Sequence, residues 1–203
     1  MNQHGQKTAT IGGTFDPDLL IRHALERGMI EEAGEAIEAF INADPGHHEG
    51  WFLKGVHGLL TGDNAGASLW FDEALQRGAN ARAARLGRAQ ALLGAHRAHQ
   101  AWDTLTQLVA DEPGDHEVIH WALRAGSALE KWGALAEILG AHLRQRPEDD
   151  AARFAFAGVL LRMGELDEAR VHHDILRARQ ADLMGLDDLS RLLEPETLAA
   201  SAA

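Results

Sequence analysis

The sequence predicts an all-α chain in which antiparallel helix pairs stack side by side, an α-solenoid. Three observations predict it. Residues of like character recur every 34 positions along most of the 203-residue chain. Within each period the apolar residues fall at helical spacing, and between the periodic segments stand glycines and prolines. A fixed period of this length is the mark of a repeat architecture, in which each unit buries its apolar face against the next.

Pro45, Pro113 and Pro147 set the ruler: the first gap is 68 residues and the second 34, and the intervening and following marks are Ala79 and Ala181. In register with them run Ala33, Ala67, Ala101, Leu135 and Ala169, and four residues later Ile37, Phe71, Leu105, Leu139 and His173. Small side chains in the first column let helix backbones approach closely. Five residues before the alanine column come Gly28, Gly62, His96, Glu130 and Gly164, where a tight helix–helix turn calls for positive φ. The third unit is expected to turn at Gly94 instead, and the fourth around Glu130–Gly133 with Trp132 in the turn. Prolines after the second helix of a pair stop it, because they supply no backbone N–H.

Element by element, Asp16 and Pro17 open a first helix as cap and first-turn proline, and it runs to Arg27. Its partner covers 30–43. The later pairs are expected at 48–60 with 65–77, 81–93 with 98–110, 116–130 with 134–145, and 150–162 with 166–179. Residues 1–13 read as a flexible lead, 14–181 as five helix-turn-helix repeats, and 182–203 as a C-terminal capping helix and tail. In that tail Leu186, Leu189, Leu192, Leu193 and Leu198 form an apolar stripe broken by Pro195. A solenoid needs its last apolar face covered, and a leucine stripe there supplies the cover.

Composition narrows the function. The formal charge is -12, with 31 acidic against 19 basic side chains, which argues against a nucleic-acid backbone or an anionic membrane as partner. There is no cysteine, so a disulfide scaffold, a thiol nucleophile and Cys-based metal sites are excluded. No apolar run approaches the ~20 residues of a membrane helix, and Met1–Gly13 carries no apolar signal core, so the expected compartment is the cytosol. No phosphate-binding loop and no Ser/His/Asp set is legible, and no cofactor is expected.

The run Trp51-Phe52-Leu53-Lys54-Gly55, followed by Gly62-Asp63, Ala67-x-x-x-Phe71 and Ala74-Leu75, resembles the tetratricopeptide repeat, as does Met163-Gly164-Glu165-Leu166-Asp167-Glu168-Ala169. The resemblance implies a right-handed superhelix whose first helices line a concave groove that binds a peptide. Carried over by register, it places Phe52, Leu86, His120 and Phe154 in one row with Asp18. Arg22, Val56, Gln90 and Arg124 fall in a second row with Gly158, and Arg162 stands near the end of the face. The lysine and asparagine of family members that clamp a C-terminal carboxylate are absent from these rows, so an apolar or amphipathic segment with an acidic group is the expected ligand. The function this implies is a non-catalytic scaffold or adaptor for a protein or peptide segment.

Two alternatives stand beside it. His116-Glu117-Val118-Ile119-His120 spells H-E-x-x-H, which on a helix presents two imidazoles one turn apart for zinc, with a carboxylate beside them. His116 and His120 are thus the candidate metal ligands of a metal-binding protein or zinc hydrolase. Against this, the run opens a helix, where glutamate is favoured by the dipole, and His48-Glu49 repeats it 68 residues earlier with Phe52 in the place of His120. The second alternative is a self-assembling structural protein, a homo-oligomer joined through repeat faces or the leucine arm.

Overall fold

The computed structural model describes residues 17–194; the expected lead at 1–13, Asp16 and Leu198 lie outside them. Among the described residues there are eleven α-helices and no strand. Five antiparallel pairs follow one another: α1 (Pro17–Glu26) with α2 (Ile30–Ala43), α3 (His48–Thr61) with α4 (Asn64–Gln76), α5 (Ala81–Gly94) with α6 (Ala98–Asp111), α7 (His116–Ala128) with α8 (Trp132–Gln145), and α9 (Asp150–Met163) with α10 (Leu166–Ala178). A short helix, α11 (Leu186–Leu193), closes the order. The pairs stack into a right-handed α-solenoid. None of the described helices is long and apolar enough to cross a membrane.

The periodic columns are the core. Ala33, Ala67, Ala101, Leu135 and Ala169 are all fully buried, and Ile37, Phe71, Leu105 and Leu139 with them. Phe71 of α4 shows how close the approach is. A Cβ on Gly55 of α3 would come within 2.8 Å of its ring, and one on Gly87 of α5 within 2.5 Å. The ring therefore occupies space that only two glycines, from two successive units, leave open. At the C-terminal end Leu186, Leu189 and Leu193 of α11 are buried in one cluster with Phe156, Leu160 and Leu176 of the last pair.

The turns obey the ruler even where the residue types do not. Within the five pairs, Gly28, Gly62, His96, Glu130 and Gly164 all have positive φ, between 55° and 82°. The third unit thus turns at His96, not at Gly94, which is the last residue of α5; Trp132 is the first residue of α8 rather than part of the turn. A closing hydrogen bond recurs in four of these turns: Met29 N–H reaches Ala24 O at 2.9 Å, Arg97 N–H reaches Leu92 O at 2.8 Å, Lys131 N–H reaches Gly126 O at 2.8 Å, and Glu165 N–H reaches Leu160 O at 2.9 Å. Packing of the flanking helices holds His96 and Glu130 in a conformation that glycine adopts without strain.

Between pairs, proline acts through its predecessor. Asp44, Glu112 and Arg146, each followed by proline, leave the helix with φ of -142°, -136° and -132°, as the steric clash with the proline ring requires. Aspartate and asparagine then start the next helices: Asn80, Asp115 and Asp149 accept backbone N–H bonds from the first turns of α5, α7 and α9. A side-chain lock also recurs. Arg77 donates to Pro45 O at 2.9 Å, and 102 residues later Arg179 donates to Pro147 O at 3.2 Å.

Candidate functional site

The first helices of the pairs bring several of the expected groove residues together. Phe52 and Val56 of α3 and Leu86 and Gln90 of α5 line one cavity of about 400 Å3, with Arg82 and Glu117 at its rim. Leu59 and Gln90 also border a neighbouring cavity of about 270 Å3, which Trp121 and Arg124 of α7 complete. The two are therefore one trough crossing α3, α5 and α7. Its floor is aliphatic and aromatic, and its far wall carries a guanidinium. Leu86 belongs to the floor, not to the exposed lining: it is only 3 % exposed.

Charge is unevenly satisfied along this face. Arg22 pairs with Glu49 and Asp18 and lies over the Phe52 ring at 5.8 Å. Arg82 is held by Asp115 and Glu117. Arg124 and Arg162 instead lie over indole rings, Trp121 at 4.7 Å and Trp132 at 5.6 Å, with no carboxylate partner among the described residues. Phe154 is half-buried against the last pair's core and lines neither cavity.

The H-E-x-x-H residues do not assemble as a set. Glu117 pairs with Arg82 at 3.3 Å. His120 is exposed and stacks edge-on against Trp121 at 5.5 Å. His116 meets two residues of other elements, His142 in the last turn of α8 and Asp149, the cap of α9; one donor atom from each lies within 4.8 Å of the others. Asp149 Oδ2 is 3.1 Å from His116 Nδ1 and 2.8 Å from His142 Nε2, while Oδ1 accepts the Ala152 N–H at 2.9 Å. Burial pushes the Asp149 carboxyl up, but the Ala152 N–H, the His142 hydrogen bond and the electrostatic influence of the adjoining His116 and His142 rings outweigh it and hold the group below the ordinary carboxylate range. The Arg146 guanidinium donates to His116 Nε2 at 2.6 Å. Its N–H occupies that lone pair, so the His116 proton sits on Nδ1, facing Asp149.

Sequence reasoning missed His142 and Asp149. One signal was available. The column at Phe40, Ala74, Leu108, His142 and Leu176 follows the same 34-residue ruler, and histidine is its single polar member.

No protein-family model matches the chain, and no curated protein matches it. Solved structures do. The chain is similar to YrrB, a TPR protein with an unusual peptide-binding site, at 14% identity and a TM-score of 0.73, over 86% of this chain and 90% of that one. It is similar to MamA from Desulfovibrio magneticus, at 21% identity and a TM-score of 0.70, over 84% of this chain and 100% of that one. PilF of Pseudomonas aeruginosa follows at 19% identity and a TM-score of 0.68, over 91% of this chain and 86% of that one. By the stacking of its pairs, its columns and these likenesses, the chain has the tetratricopeptide-repeat fold.

Proposed function

We propose that the protein is a non-catalytic scaffold that binds an extended or helical segment of a partner protein in the trough across α3, α5 and α7. The observation that carries this reading is the coincidence of an apolar floor, Phe52, Val56 and Leu59, with a guanidinium at one end, Arg124, that no carboxylate of the described residues neutralises. An apolar floor favours a segment with one or two aliphatic or aromatic anchors, and the arginine selects an acidic group beyond them. That YrrB is described as having a peptide-binding site is in keeping with this use of the fold. The chain's own charge of -12 works against acidic ligands at long range, so selection of such a segment rests on contact at Arg124 rather than on steering.

Selection of a random peptide library against the full chain tests the proposal. Enriched peptides should carry apolar anchors beside Asp or Glu. Val56→Glu should abolish their binding, and Arg124→Glu should weaken it by about tenfold or more, the loss expected for a charge-assisted hydrogen bond, while helicity by circular dichroism is unchanged. Binding that survives Val56→Glu would place the ligand elsewhere.

A further inference from the structure

We infer that His116, His142 and Asp149 form a binding site for a divalent transition-metal ion, with zinc the best match to the donor set. The inference stands apart from the peptide trough and needs none of its residues.

The three donors come from three elements that the fold brings to one point: the start of α7, the end of α8 and the cap of α9. The carboxylate–imidazole spacings are close to those around a coordinated ion, and all three donors lie within 4.8 Å of one another. Donors ~2.0–2.2 Å from a tetrahedral zinc stand about 3.3 Å from one another. Here Asp149 Oδ2 is already 3.1 Å from one imidazole nitrogen and 2.8 Å from the other. Two neutral imidazoles with one carboxylate are a nitrogen–oxygen set that suits zinc and its neighbours rather than calcium or magnesium. The open side of the cluster faces a cavity of about 320 Å3, which His120 also lines, so a water or a fourth side chain has room to complete the shell.

Helix capping alone does not account for the cluster. The Asp149 cap needs only Oδ1 and Ala152. Its counterpart 34 residues earlier, Asp115, caps α7 with Oδ1 and gives its other oxygen to Arg82, and the ruler puts His116 in the place of Arg82. His142 is the more telling member. Its column is otherwise apolar, with Ala74, Leu108 and Leu176 fully buried, yet it is only 1 % exposed itself. A buried imidazole there costs more than the leucine that the fold uses two units out of five. Its Nδ1 has no hydrogen-bond partner, so the one polar contact it makes is the one at the cluster.

Ion binding requires both imidazoles to present lone pairs where they now present protons. Each shifts its proton to the opposite ring nitrogen, and no proton leaves the site. For His116 that nitrogen is Nε2, now held by Arg146, so the arginine must swing out. Asp149 keeps its cap through Oδ1.

The test is a titration of the full chain, purified without a histidine tag and stripped with chelator, with zinc chloride followed by calorimetry and by thermal unfolding. One zinc per chain should bind saturably and raise the unfolding temperature. Three variants are chosen to keep the fold. His142→Leu copies Leu108 and Leu176, His116→Arg copies Arg82, and Asp149→Asn retains a good cap. Each should weaken zinc binding by more than about tenfold and abolish the thermal shift. Arg146→Ala, which frees Nε2 of His116, should bind zinc more tightly than the wild type. No saturable uptake by the wild type would overturn the assignment; undiminished uptake by His142→Leu and Asp149→Asn together would overturn it too, and leave the remaining surface histidines as the zinc ligands.

Discussion

Two joints of the solenoid, 34 residues apart, share a backbone and differ in what they grip. At the first, Glu112 leaves α6 with φ -136°, Pro113 follows, and Asp115 caps α7 with φ -76° and ψ 107°. At the second, Arg146 leaves α8 with φ -132°, Pro147 follows, and Asp149 caps α9 with φ -76° and ψ 92°. In both, one carboxylate oxygen holds the new helix and the other reaches back one repeat. Asp115 finds a guanidinium there, with Glu112 and Glu117 around it; Asp149 finds two imidazoles, one of them deep in the core. The cap is thus the constant of the joint and the back-reaching partner is free to change. Arginine makes that partner a permanent charge, whereas histidine makes it a donor set that protons and metals can both occupy.

The sharpest way to break this comparison is to remove both caps. Asp115→Ala and Asp149→Ala should each lose about 1–2 kcal/mol for the cap. Asp149→Ala should lose about 1–3 kcal/mol more, because it leaves the ring N–H of His142 buried without an acceptor. Because Asp115→Ala also gives up the Arg82 ion pair, equal losses in denaturant unfolding would mean that the imidazole contact is worth no more than that pair.

Acid titration separates the joints next. Burial pushes the Asp115 carboxyl up, but Arg82 and the Val118 and Glu117 N–H groups outweigh it and hold the group below its ordinary range. A folded value below the unfolded one adds stability that is fully present above the unfolded value of about 3.9 and is lost as pH falls through the folded one. Arg82→Ala should therefore cost about 0.5–1 kcal/mol at neutral pH, since Arg82 is partly exposed, and the gap to the wild type should close below about pH 4. A gap that does not shrink at all as pH falls below about 4, measured by circular dichroism in denaturant, would point to lost packing instead of the ion pair.

The smallest effect is expected from His142→Leu without metal. It places an aliphatic chain in an apolar column and leaves Asp149 with Ala152 and His116, so stability should change by less than about 1 kcal/mol. A large loss would show that the imidazole is needed for packing.

Much of this fold could be read before any coordinates. A repeat exposes each helix to nearly the same neighbours in every unit, so burial is written as a column, and the alanines from Ala33 to Ala169 report it directly. The turns were legible by position more than by residue type: His96 and Glu130 are not glycine, yet they take the left-handed conformation because the helices on either side dictate it. The trough was half legible. Register puts Phe52 and Val56 on the first helices, but the superhelical twist decides depth, which is why Leu86 lies under the surface that Gln90 helps to form. The cluster at Asp149 was not legible from short motifs, because its three members are set by side-chain direction from three separate elements.

The ring of Phe71 has an implication for how this chain can change. Phe71, Gly55 and Gly87 sit on α4, α3 and α5, so they belong to two neighbouring units yet define one volume. A methyl added on either glycine collides with the ring, and a shorter side chain at 71 leaves a void between two units at once. Drift at any one of the three sites is thereby opposed until another has moved, which makes this boundary one place where the array resists insertion, deletion or exchange of a unit.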